Sequence, residues 1–139
     1  MPRVLLDTDT LSEVMRGRDS DVLQRAREYL DGEHHFTFSI ITRYEILRGL
    51  KARQADKQIA AFEQRCRESE ILPITDDVVV RAADIYAHLH RSGRLVTDAD
   101  ILIAATALTG GLTLVTNNTD HFSRVPGLSC DSWRRTAER

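Results

Sequence analysis

Four carboxylates fall where the chain has just left an apolar run or is entering a buried one: Asp7, Glu45, Asp100 and Asp120. Asp7 closes the run in Val4-Leu5-Leu6-Asp7-Thr8-Asp9-Thr10-Leu11. Glu45 lies in the first turns of a helical pattern, Asp100 precedes Ile101-Leu102-Ile103-Ala104-Ala105, and Asp120 follows Leu112-Thr113-Leu114-Val115-Thr116. Taken singly, each has a bland reading, because acids at helix starts satisfy free N–H groups and the helix dipole. Thr42 with Glu45, and Thr97 with Asp100, have the spacing of capping boxes, which require no chemistry. Taken together they imply more: carboxylates crowded into one cleft repel each other and need either raised pKa values or a bound cation. Magnesium or manganese, held by carboxylate oxygens and retained waters, supplies that charge. Asp98 and Asp100 point about 200° apart on a helix, so one of them faces the cleft. Asp100 borders the buried helix directly, which leaves Asp98 as a cap or supporting acid.

For these acids to meet, the elements that carry them must share an edge. Val4-Leu5-Leu6 reads as a buried parallel strand, followed by a helix starting near Thr10, with Thr8 or Asp9 as its cap. Helices are expected over 20–30, stopped by Asp31-Gly32, and over 42–53, 56–69, 76–91 and 97–108. In the 76–91 helix the apolar stripe is Val79, Ala83, Tyr86 and Leu89 or His90. Further strands are expected over 34–41, 71–74 and 112–116, with a weak fifth over 128–131. Pro73 assigns the third to an edge or terminal position, and 117–122 is a loop or single turn. Strand and helix alternate, so the expected architecture is a three-layer α/β sandwich around a mainly parallel sheet of four or five strands. Such a sheet puts every strand-to-helix junction on one side, where ligand chemistry gathers.

Composition narrows the class. One domain over 1–139 is the expectation for this length. With 42% hydrophobic and 29% charged residues the chain has the balance of a folded globular protein. No apolar run is long enough to cross a bilayer and no signal-peptide pattern opens the chain, so cytoplasmic residence is expected. Cys66 and Cys130 lack metal-ligand spacing and read as free thiols. The five histidines form no ligand set, since the adjacent His34 and His35 project to opposite faces of a strand. A net charge of −2 gives no overall pull toward nucleic acid, yet 17 of the 19 basic residues are arginine, suited to bidentate phosphate contacts.

The ordered set Val4–Ser12, Ser39–Gly49, Asp100–Ala105 and Leu114–Thr119 resembles the PIN-domain ribonucleases, and within them the VapC-type toxins of bacterial toxin–antitoxin pairs. The resemblance implies a metal-dependent endoribonuclease, with acids around one or two magnesium or manganese ions that activate water for in-line attack on a phosphodiester. Asp7, Glu45 and Asp100 match the family's metal-binding acids. The family's later aspartate commonly stands immediately before the phenylalanine, where this chain has His121; Asp120 comes one residue earlier, and Asn118 or a water is an alternative. Thr8, Asp9, Ser39, Asp98, Thr116 and Asn118 are candidates for orienting the acids or metal waters.

Arg16, Arg18, Arg43, Arg91 and Arg94 flank the acid edge or its loops and are candidates for RNA phosphates. The resemblance also implies a homodimer contacting through its middle helices, and a small antitoxin whose arm lies beside the early helices, near Val14, Met15, Val22 and Leu23. Two alternatives stay open. In a haloacid-dehalogenase-like phosphatase Asp7 is the nucleophile of Asp7-Thr8-Asp9-Thr10, with Asp76-Asp77 as later metal acids. In a catalytically silent PIN-like module the fold only binds.

Overall fold

The computed structural model describes residues 3–134. In chain order the elements are β1 (Val4–Leu6), α1 (Thr8–Arg16), α2 (Ser20–Glu33), β2 (Thr37–Ser39), α3 (Ile40–Ala52) and α4 (Asp56–Arg67). There follow β3 (Glu70–Leu72), α5 (Asp76–Arg91), α6 (Asp98–Gly110), β4 (Thr113–Val115), α7 (Thr119–Phe122) and β5 (Cys130–Asp131). The five strands form one sheet in the order β3-β2-β1-β4-β5, and every pairing is parallel. The weak fifth strand is real, and β3 is an edge strand that ends before Pro73.

The alternation along β1 divides the core. Val4 and Leu6 face a cluster with α1 to α4, whereas Leu5 faces one with α5 and α6. Leu114 and Val115 of β4 divide in the same way. All three β1 side chains are buried, each contributing roughly 1.5–3 kcal/mol of apolar burial. A strand buried on both faces needs a continuous apolar run, and that is what the sequence supplies. Helices on both faces complete the three-layer sandwich.

From β1 the chain proceeds outward through β2 to β3, then returns by α5 and α6 to β4 on the other side of β1. The order therefore reverses between β1 and β4, which opens a crevice at their carboxyl ends.

Several local expectations shift. Asp7 itself caps α1, its carboxylate accepting the Thr10 N–H, so neither Thr8 nor Asp9 is the cap. Helix α2 runs through Gly32 and stops at His34, which takes the left-handed conformation with φ 72°. A glycine within a helix costs only about 1 kcal/mol, less than the helix recovers by docking Tyr29. Strand β2 is shorter than 34–41, and α3 starts at Ile40 with Ser39 as its cap, so Thr42 and Glu45 form no capping box. On α5 the buried face is Val78, Ala82, Ile85 and Leu89. Val79 and Tyr86 are exposed, so the expected stripe was displaced by one residue. Both cysteines are free.

The last described turn closes the α1–α4 side. Trp133 packs on Tyr29 at 5.8 Å and on Phe36 at 6.2 Å between ring centroids, and the Tyr29 hydroxyl accepts the Val4 N–H at 3.1 Å. That anchorage brings Arg134 onto Glu13 of α1.

Candidate active site

Asp7, Ser39 and Thr116 stand at the carboxyl ends of β1, β2 and β4, three adjacent strands, with Asp7 beside the crevice. Asp7 is only 6% exposed. Its N–H donates to the Val115 carbonyl at 3.0 Å and its Oδ1 accepts the Thr10 N–H at 2.8 Å. Burial pushes the carboxyl above the usual aspartate range, partly offset by the Thr116 hydroxyl and the Thr10 N–H, while the Asp9 charge pushes the same way as burial. Among the described residues no lysine, arginine or histidine forms an ion pair with it.

Glu45 reaches the same edge from the second turn of α3. Its Oε1 accepts the Thr8 hydroxyl at 2.6 Å, and Thr8 Oγ1 lies 3.1 Å from Thr42 Oγ1. Thr8 thus ties the start of α1 to α3. Asp100, in the first turn of α6, donates its N–H to the capping Thr97 hydroxyl at 3.2 Å. Its Oδ2 lies 3.0 Å from His121 Nε2 on α7.

The supporting candidates separate. Ser39 and Thr116 are fully buried: the Ser39 hydroxyl caps α3 at the Ile41 N–H, and Thr116 Oγ1 accepts the Asn118 N–H at 3.0 Å beside Asp7. Asp9, Asp98, Asn118 and Asp120 are exposed. Thr97, not Asp98, caps α6, and the Asn118 side chain makes no capping bond. Among the described residues no three Asp, Glu, His or Cys side chains are gathered around one point. Glu45 is turned to Thr8 and Asp100 to His121. The donor chemistry nevertheless fits a hard divalent cation: three carboxylates from three elements, one of them buried without a basic partner.

A groove of about 570 Å³ runs from Thr8 and Glu45 along α1, α3 and α4 to Arg16, Arg18 and Arg53. Met15 lines it, whereas Val14 and Val22 belong to the core. Arg91 and Arg94 are exposed before α6. Arg43 is turned to α4, its guanidinium 2.5 Å from Glu63 and 3.2 Å from the Cys66 sulfur. It is therefore committed inside the fold, against the expectation of an RNA contact.

The family model for the PIN domain matches residues 4–128. The chain belongs to the PIN domain family. It is 31% identical over 134 residues to a ribonuclease VapC of Haemophilus influenzae, covering 96% of this chain and 99% of that one. It is similar to the crystal structure of a DNA-bound VapBC from Salmonella typhimurium, with TM-score 0.84, 28% identity and coverage of 96% and 99%. A toxin–antitoxin complex from Klebsiella pneumoniae aligns with TM-score 0.66 at 26% identity, over 90% and 94% of the two chains.

The spacing of Thr10 and Glu13 reads as a capping box in the sequence, but the clamp on Glu13 by Asn117 and Arg134 does not appear there. Asn117 Nδ2 donates to Glu13 Oε1 at 3.3 Å, and Arg134 grips both Glu13 oxygens, at 2.6 Å and 3.0 Å. The partners lie 104 and 121 positions from Glu13, so no local spacing could signal them. Arg53 was missed for a simpler reason: it ends a helix without any motif.

Proposed function

We propose that this PIN-domain chain is a metal-dependent endoribonuclease acting as the toxin of a type II toxin–antitoxin pair. The observation that carries the reading is Asp7: a buried carboxylate without a cationic partner, at the crevice of a fold shared with ribonuclease VapC. Nothing in the core needs a charge there, and such a group marks a functional site.

In this reading Asp7, Glu45 and Asp100 hold magnesium or manganese. When bound, the cation supplies positive charge to the scissile phosphate and acidifies the attacking water. The residues of the chain do the positioning. Thr116 and the Thr10 N–H fix the Asp7 carboxylate, Thr8 holds Glu45, and Ser39 sets the start of the helix that carries Glu45. Asp120, exposed on α7, is left a supporting part at most. Arg16, Arg18 and Arg53 offer cations to RNA phosphates along the groove.

The likeness to VapBC complexes supports a cognate antitoxin as partner. Self-association is supported by the exposed Val79, Val80 and Tyr86 on α5. No described helix is long and apolar enough to cross a membrane.

The phosphatase alternative loses its ground. Asp76 and Asp77 are exposed in the first turn of α5, beyond the edge strand β3 and two strands from β1. The test is incubation of purified protein with total RNA, with Mn²⁺ or Mg²⁺ and with chelator, beside Asp7→Asn. Discrete fragments that require both metal and Asp7 are expected, and their ends identify the target. Intact RNA beside a folded protein would leave the silent binding module in its place.

A further inference from the structure

At the position after β4 where the resemblance leads one to expect an acid, this chain carries a histidine that meets the Asp100 carboxylate. His121 and Asp100 are both part-buried, with side chains 24% and 32% exposed, and 3.0 Å separates Nε2 from Oδ2. Two neighbours fix the pair. Phe122, itself buried, meets the His121 ring edge-on at 5.3 Å and 87°, while Thr97 holds the Asp100 backbone at the start of α6. Among the described residues no lysine or arginine pairs with Asp100, so His121 alone constrains its carboxylate.

Resting on the nuclease reading above, we propose that His121 is a positioning residue for the metal ligand Asp100. Its Nε2–H would donate to Oδ2, fixing the carboxylate's orientation and leaving Oδ1 free. A carboxylate free to rotate loses that orientation and must be ordered each time metal binds. Donors to ligating carboxylates typically contribute 10–100-fold to metal affinity. The substitution also lowers the negative charge of the site: three carboxylates and an imidazole replace four acids. Cation binding then depends more on the orientation of each remaining oxygen and less on bulk charge.

The test is calorimetric titration of the full chain with Mn²⁺ alone. His121→Ala should weaken binding by about 10–100-fold. His121→Gln, whose amide nitrogen reaches nearly as far as Nε2, should recover most of the loss. Raising Mn²⁺ should restore cleavage by His121→Ala, because the defect lies in occupancy, and thermal melting should show both variants folded. The proposal is overturned if His121→Ala binds Mn²⁺ like the wild type, or if Gln is as poor as Ala. The nuclease reading fails separately, when Asp7→Asn still cleaves RNA, whatever the His121 variants do.

Discussion

Asp7 caps α1 and Glu13 lies within it; both are about equally buried, 6% and 8% exposed, yet the fold treats them in opposite ways. Glu13 is clamped by the Arg134 guanidinium and the Asn117 amide, and Arg134 holds its carboxyl below the usual glutamate range. Asp7 receives only neutral donors, and burial holds its carboxyl above the usual range. A carboxylate kept for architecture is neutralised inside the protein. One left charged and unpaired in a crevice costs stability, and a fold retains such a group where it has a ligand to bind.

The contrast is sharpest with metal. Anything that binds only the folded state stabilises it, by about 2.7 kcal/mol at a concentration one hundred times the dissociation constant. Mn²⁺ should therefore raise the melting temperature of the wild type and of Glu13→Gln, and leave Asp7→Asn where it was. A metal-induced shift that survives in Asp7→Asn would remove Asp7 from the site.

Without metal the two amide variants should move stability in opposite directions. Glu13→Gln exchanges a charge-assisted clamp for a neutral one and should cost about 1 kcal/mol, since Arg134 is half in solvent. Asp7→Asn keeps its capping ability and sheds a desolvated charge, so it should melt higher than the wild type at neutral pH. The pH dependence follows from the two opposite shifts. The folded pKa of Glu13 is lowered, so its contribution is full above the ordinary glutamate pKa and disappears as pH falls through the folded value. The folded pKa of Asp7 is raised, so its penalty is absent below the ordinary aspartate pKa and grows as pH rises through the folded value. Melting curves across acid pH should show the Glu13→Gln deficit and the Asp7→Asn advantage both closing as pH falls. Deficits of the same sign in both variants would erase the distinction.

This pair also shows what a sequence carries. Asp7 was legible because the signal is local: an apolar run, an acid, then helical spacing. The parallel sheet, with Asp7 at a strand end and Glu45 and Asp100 in the opening turns of α3 and α6, follows from the alternation of elements, which is also written along the chain. The clamp on Glu13 was not legible, because Arg134 reaches it only after Trp133 docks on Tyr29 and Phe36. The displaced stripe of α5 has a different cause. Val78, Val79 and Val80 are consecutive, as are Ala82 and Ala83, so the first two turns offer two alternative stripes. Ile85 and Leu89, against Tyr86 and His90 on the neighbouring stripe, favour the one that packs on α6. Ser39 capping α3 in place of Thr42 is a boundary effect of a strand shorter than its apolar pattern.

The smallest effects should come from the arginines, where the same contrast between committed and available charge recurs. Arg43 resembles Glu13: it is paired with Glu63, in contact with Cys66, and its charge is spent within the fold. Arg16 and Arg18 resemble Asp7, since they line the groove and no ion pair holds either of them among the described residues. Binding of RNA to the cleavage-deficient Asp7→Asn protein, measured over a range of salt, separates the two kinds. Arg16→Ala and Arg18→Ala should each weaken binding modestly and reduce the salt slope by about 1, the signature of one lost phosphate contact. Arg43→Leu should leave affinity and slope as they were and lower only the melting temperature, because what it breaks is the tie between α3 and α4. If Arg43→Leu instead flattens the salt dependence, its pairing with Glu63 opens when RNA binds, and the line between structural and functional charge would have to be redrawn on α3.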